Sequence, residues 1–351
     1  MIDGYENLLR TVRFERADYI PMDFHINSAC WHHYPADAMA ELIAGHPKLF
    51  PGFDGSAIDT EPEFAPWEKA GERYIDGWGC AWETTDDGIV GTVTHHPLES
   101  WDNFDVFTAP APAENLRLGP ADWDSVAKRS RRPRAVGRLA NDSLQHGHTF
   151  QTLADIRGYE NLLFDMADDE PRLRKLIEMV EEFNLGVVNK CVAIGAEWMG
   201  YPEDLGMQTG PMLSPQQFRK YIKPSYQRLI RPARRAGCII HIHSDGDIRD
   251  LADDLIECGL DVLNIQDLVN GIDWIAEHLK GRVCIDLDID RVQVTRFGSP
   301  ADIDALIRQE VEKLGSAQGG LMMIYGLYPT VPLENAEAVM DAMERYATYY
   351  S

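Results

Sequence analysis

From about residue 172 onward the apolar positions alternate between two spacings. Arg172 to Ile194 (RLRKLIEMVEEFNLGVVNKCVAI) repeats them every three to four residues, which predicts a helix. Ala196 to Gly200 is a short, mostly apolar run closed by polar residues and reads as a strand. Ser214-Pro215 then opens a helix to about Ala236, with Ser as N-cap and Pro at the first helical position. The alternation continues with a strand over Cys238–His243, a helix from about Arg249 to Cys258 and a strand over Asp261–Ile265. A helix over Ile272–Leu279, a strand over Val283–Leu287 and a helix capped by Ser299-Pro300 and running through Leu314 come next. A strand over Leu321–Ile324 precedes the final helix, from about Leu333. Near the start, Tyr19–His25 reads as one more strand ending in polar residues.

Hydrophobic strands, each followed by a helix, predict a parallel sheet covered by helices. An open doubly wound sheet usually carries a glycine-rich phosphate turn, and neither GxGxxG nor GxxxxGK[ST] occurs. The pattern therefore favours an α/β fold of the (β/α)8 TIM-barrel kind, one domain over 1–351 with a decorated N-terminal half. The least regular stretch, about 101–133, reads as an insertion, and the basic run Lys128–Arg134 (KRSRRPR) as a solvated surface loop.

Composition narrows the function classes. A chain of 351 residues, 44% hydrophobic, suffices for one barrel. Lys and Arg number 33 against 57 Asp and Glu, a formal charge of −24. That balance argues against nucleic acid or an anionic membrane as partner, and against a highly anionic substrate unless a local basic cluster meets it. Cysteines 30, 80, 191, 238, 258 and 284 form no CxxC pair and read as reduced, buried thiols. With no apolar run approaching ~18 residues and a charged amphipathic start, a cytoplasmic protein is expected.

Barrel active sites lie at the C-terminal ends of the strands. The polar residues there are Asp23 and His25; Tyr201, Glu203 and Asp204; His241, His243 and Asp245; Gln266 and Asp267; Asp286, Asp288 and Asp290; and Tyr325. In His241-Ile-His243-Ser-Asp245 the two-residue strand period puts both imidazoles and the carboxylate on one face. Such a set can hold Zn²⁺, or it can be a polar core strand with a plain His–Asp pair. Asp286, Asp288 and Asp290 alternate likewise, either as a general acid or cation site or as helix caps. Of Glu203 and Asp204, one is expected to face the pocket and the other the surface. The doublets His32-His33 and His95-His96 lack metal-motif spacing, and no GxSxG elbow supports acyl transfer.

Several longer stretches carry a resemblance: RGYENLLFDMADDEPRLRKLIE from Arg157, PEDLGMQTGPMLSPQQFRKYIKP from Pro202, HSDGDIRDLADDLIECGLDVLN from His243, DLDIDRVQVTRFGSP from Asp286 and YGLYPTVPLENAEAVMDAM from Tyr325. In this order, with DYIPMDF and DGWGCAWE upstream, they resemble the uroporphyrinogen decarboxylase superfamily across nearly the whole chain. The resemblance implies a (β/α)8 barrel. True decarboxylases of this superfamily carry an Arg-rich N-terminal signature of the type MRQAGRYLPE. The corresponding MDFHINSACWHHY has no Arg, so an eight-carboxylate tetrapyrrole is a poor match. The other branch comprises corrinoid-dependent methyltransferases, whose thiol-methylating members hold zinc with a His-x-Cys pair and a later Cys. Here the His matches His243, the first Cys is replaced by Asp245 and the second by Tyr325.

The resemblance thus implies a methyltransferase component of a corrinoid-dependent demethylation system. It would act on a small methylated, preferably methoxy, compound, with the corrinoid on a partner protein and a homodimer as assembly. His243 and Asp245 would bind zinc, through N and O ligands, or the leaving group. Tyr325, Asp204, Glu203 or Asp288 would supply the proton, and His25, Tyr201, Gln208, His241, Gln266 and Asp286 would contact substrate. The alternative is a decarboxylase or lyase acting on a small carboxylic acid; a ligand-binding, non-catalytic member is a third reading.

Overall fold

The computed structural model describes residues 4–53, 63–135 and 139–351. Its strands, in chain order, are β1 (Met22–Ile26), β2 (Tyr74–Ile75), β3 (Ala81–Glu83), β4 (Thr92–His95), β5 (Asn141–Ser143) and β6 (Trp198–Pro202). Then follow β7 (Gly206–Met207), β8 (Gly210–Pro211), β9 (Ile239–Ser244), β10 (Val262–Gln266), β11 (Cys284–Asp288) and β12 (Leu321–Leu327). The helices expected over 172–194, 272–279, 300–314 and from 333 are found as Pro171–Ile194, Ile272–His278, Pro300–Leu314 and Leu333–Tyr346. Ser214 caps as expected, its Oγ accepting from the Gln217 N–H at 3.2 Å. The helix it starts widens into a π-turn at Phe218–Ile222, beside Pro224, which has no N–H to donate.

The chain divides into two compact units. The first comprises Met1–Ala70, Thr84–Val90 and Asn264–Ser351. In it β12 pairs in parallel with β1 on one side, Phe24 opposite Tyr325, and with β11 on the other, Asp288 opposite Ile324. Alternate residues Leu321, Met323 and Tyr325 are buried, as are Ile303, Ile307, Val339 and Met343 of the two mutually packed helices Pro300–Leu314 and Leu333–Tyr346.

The second unit comprises Gly71–Glu83 and Gly91–Leu263. Here β6 pairs in parallel with β5 and β9. A Cβ at position 200 would lie 2.9 Å from the Ser143 Cβ, so Gly200 allows β5 and β6 their approach. Helix Pro171–Ile194 packs on helix Lys223–Arg235, and β2–β3–β4 form a small antiparallel sheet. Stretch 101–133 contains a 3₁₀ turn at Trp101–Val106, an isolated bridge Asn115–Pro120 and the start of helix Trp123–Ala135. The basic run Lys128–Arg134 therefore lies on a helix, not on the expected loop; the side chains of 131–134 fall outside the described set. Among the described residues no helix is long and apolar enough to cross a membrane.

Candidate active site

In the second unit three side chains converge from successive strand ends. His243 is the fifth residue of β9, Asp204 follows β6 by two residues and His146 follows β5 by three. His146 Nε2 lies 3.1 Å from Asp204 Oδ1, and His243 Nε2 lies 3.6 Å from the same oxygen. One ligand atom from each of the three lies within 4.8 Å of the others. Asp245 stands at the rim, its Oδ1 3.8 Å from His243 Nε2.

The backbone explains this convergence. Beyond β5 the ladder continues, Leu144 N–H donating to the Gly200 carbonyl and Gly147 N–H to that of Pro202, which carries His146 alongside Asp204. The segment after β6 and the turn after β9 grip each other. Glu203 N–H donates to the His243 carbonyl at 3.0 Å, Leu205 N–H to Ser244 Oγ at 2.9 Å, and Asp245 N–H to Asp204 Oδ1 at 3.2 Å. Gly246, at φ +80°, presses so closely on Gly206 that a Cβ there would lie 2.2 Å from the Gly206 carbonyl carbon. Only glycine meets both conditions.

Burial works to raise the Asp204 carboxyl, but hydrogen bonding and positive charge from His146 and His243 outweigh it and hold the group well below the usual carboxylate range. Two imidazoles and one carboxylate, open on one side, form a donor set suited to a divalent ion that keeps a position for water or substrate. All six cysteines are buried and none joins such a grouping among the described residues.

The other expected residues take varied places. Glu203 is fully buried rather than at the surface, because it terminates a helix: its Oε1 accepts from Thr149 N–H and Gln151 N–H, and its Oε2 from the Tyr226 hydroxyl at 2.6 Å. Tyr201, expected to touch substrate, points into the helix layer and donates to the Leu229 carbonyl at 3.1 Å. Tyr325 is likewise displaced from the expected proton-donor role. It shares the buried face of β12 with Leu321 and Met323 and packs 5.2 Å from Phe24, and burial pushes its hydroxyl pKa up. In both cases the two-residue strand period turns the phenol to the helices. Gln208 is exposed at the tip of the β7–β8 hairpin. His241 is half-buried with its ring 5.3 Å from Trp198.

In the first unit, His25 and Asp23 share one face of β1, and burial together with the Asp286 charge raises the Asp23 carboxyl. Asp286 and Asp288 are buried on one face of β11, with Arg291 Nη2 2.8 Å from Asp288 Oδ2. Asp290 is a helix cap, its Oδ2 accepting from the N–H groups of Gln293 (2.9 Å) and Val294 (2.6 Å). Gln266 ends β10, half-buried. His32 and His33 line a surface cleft of about 380 Å³ with Asp86, Asp87 and Tyr328. His146 was not foreseen; its strand, Asn-Asp-Ser, is three polar residues with no hydrophobic alternation, and only the pair in His146-Gly-His148 could have marked it.

A family model described as uroporphyrinogen decarboxylase (URO-D) matches residues 146–346. The chain belongs to the uroporphyrinogen decarboxylase family. Two curated relatives named uroporphyrinogen decarboxylase, from two strains of Thermus thermophilus, are 29% identical over 140 residues. Each match spans 38% of this chain and 38% of the relative's own length. A methyltransferase from Methanosarcina mazei has the same fold over 98% of both chains, with a TM-score of 0.66 at 17% identity. The fold of this URO-D family member is therefore the α/β barrel expected from its alternating pattern. The family match begins on His146 and takes in Asp204, His243 and Asp245. Two buried arginines of the second unit are paired with carboxylates. Buried Arg117 pairs with Asp155, and buried Arg157 pairs with Asp165 at 2.7 Å while donating to the Leu98 carbonyl at 2.7 Å.

Proposed function

We propose that this protein is the methyltransferase component of a corrinoid-dependent demethylation system, acting on a small methylated, preferably methoxy, compound. The observation that carries the reading is the His146–Asp204–His243 grouping, with Asp245 at its rim. A site with two carboxylates and two imidazoles is poorly matched to an eight-carboxylate substrate, and well matched to a cation or a developing oxyanion. The corrinoid, carried by a partner protein, supplies the nucleophile that accepts the methyl group. As the C–O bond breaks, its electron pair stays on oxygen, which must be coordinated or protonated. A zinc or similar divalent ion fits His146, Asp204 and His243, and would supply Lewis acidity at that oxygen. Without a cation, an imidazolium of His146 or His243, oriented by Asp204, delivers the proton. Asp245 accepts a hydrogen bond from the donor or shares the cation.

Incubation with cob(I)alamin and a panel of methoxy, methylamine and methylthio compounds should yield methylcobalamin, read by its absorbance. Failure of every donor, together with decarboxylation of a carboxylic acid, would replace this reading. That second reading, a decarboxylase or lyase for a small acid, is favoured by the name of the Thermus relatives. Such a substrate would need the cation at the same grouping to offset the local carboxylates.

A further inference from the structure

Resting on the reading just given, we infer that Gln151 is a positioning residue for Asp204, held in place by buried Glu203 and Tyr226. Gln151 is the second residue of helix Phe150–Arg157 and makes a two-point contact: its Oε1 accepts from the Asp204 N–H at 3.1 Å, and its Nε2 donates toward Asp204 Oδ2 at 3.4 Å. This leaves Oδ1 as the oxygen turned to both imidazoles. Asp245 N–H holds Oδ1 from the other segment at 3.2 Å, and Gln151 fixes the second oxygen, so the two contacts together restrict a terminal torsion that is otherwise broad.

The helix end that carries Gln151 is itself fixed. Glu203 Oε1 accepts from Thr149 N–H at 2.7 Å and from Gln151 N–H at 3.0 Å, satisfying two of the free N–H groups at the first turn of the helix. Tyr226 donates to Glu203 Oε2 at 2.6 Å. Glu203 and Asp204 are chain neighbours, so the same segment that anchors the helix offers Asp204 to the side chain the helix presents. Gly147 supplies the space. At φ +77°, it comes so near that a Cβ would lie 3.0 Å from both the Cβ and the Oε1 of Gln151. The arrangement is a closed loop of contacts, Glu203 to helix to Gln151 to Asp204. Partners that orient a metal ligand typically change metal affinity 10–100-fold when removed.

The test uses full-length protein with Gln151→Met, which keeps the length of the side chain but neither polar contact, and Gln151→Glu, which keeps the acceptor and replaces the donor with a second carboxylate. Two readouts are taken: Co²⁺ affinity with the visible Co²⁺ spectrum, and imidazole ¹⁵N shifts of His146 and His243 with no cation added. Both variants should bind Co²⁺ about tenfold or more weakly, with altered visible bands, and should shift the His146 and His243 signals while melting near the wild-type temperature. If wild type takes up no Co²⁺ but Gln151→Met still moves the imidazole signals, positioning stands and the cation reading falls. Wild-type imidazole signals in a folded Gln151→Met protein overturn the inference, whatever Co²⁺ does. If Gln151→Met does not fold, the same two measurements on Gln151→Glu decide it.

Discussion

Asp204 and His148 both favour the deprotonated form in the fold, Asp204 as a charged carboxylate and His148 as a neutral imidazole. The Asp204 carboxyl is held below its unfolded value, so its depressed pKa contributes stability above about pH 4 that is lost as pH falls through the folded value. Asp204→Asn should therefore cut methyl transfer by at least ~10²-fold, the low end for an acid–base group, and flatten the loss of stability below about pH 4, read by urea melts at stepped pH. His148 acts in the same direction over a higher pH range. Burial first, then the positive charges of His146 and Arg117, lowers its pKa to about 3. An unfolded chain protonates it near 6.5, so stability falls as pH drops from about 6.5 toward 3, with a slope of up to about one proton. His148→Phe, which cannot titrate and suits the aromatic contacts to Tyr201 and Tyr226, should remove that slope. An unchanged pH-stability curve in His148→Phe would show that the ring already charges in the folded state. Sequence made the candidate chemistry at His243, Asp204 and Asp245 legible, because each stands at a strand end in a phase that faces the site. It misplaced Tyr201 and Tyr325 because neither a position at a strand end, as for Tyr201, nor a match to a family ligand, as for Tyr325, says which strand face a residue occupies.

At the level of elements, the crossing of Gly206 and Gly246 joins two strand ends into one unit. Gly246→Ala would force a left-handed conformation on a side chain that also collides with backbone, a cost on the order of 1–3 kcal/mol or more. Its melting temperature should fall, and its Co²⁺ binding should weaken, because Asp245 and Asp204 are carried by the two crossing segments. A contrasting variant is Ser299→Ala. Ser299 and Asp302 form a reciprocal cap on helix Pro300–Leu314, with Ser299 N–H donating to Asp302 Oδ2 at 2.9 Å. Losing it should cost about 1 kcal/mol and leave methyl transfer unchanged; a comparable activity loss would mean that simple destabilisation explains both. Most strands from β6 onward were readable because apolar runs and capped helices alternate there. β5 was not, since pairing with β6, not its own side chains, makes Asn-Asp-Ser a strand. The π-turn at Phe218–Ile222 was hidden for a related reason: periodicity does not register one extra residue in a turn.

For the whole molecule, the cysteines give a simple check. All six are buried, and burial pushes Cys30, Cys191 and Cys258 up to about 12, so none is poised as a thiolate ligand. Metal content of Cys284→Ser should equal wild type, whereas Asp245→Cys should raise zinc affinity by adding a sulfur ligand beside His243. The expectation of one domain over 1–351 meets a chain that divides into two compact units, and calorimetry distinguishes them. One transition with equal calorimetric and van't Hoff enthalpies is expected for a single cooperative barrel, and two transitions for separable units. The pairing of β1 with β12 sets a timetable for synthesis. Met22 finds its partner only in Met323, roughly 300 residues later. At about 5–20 residues per second the ribosome takes roughly 15–60 s to deliver it. Throughout that interval the apolar side of Met-Asp-Phe-His-Ile waits without its neighbour, a lasting opportunity for a chaperone or a wrong partner to engage it.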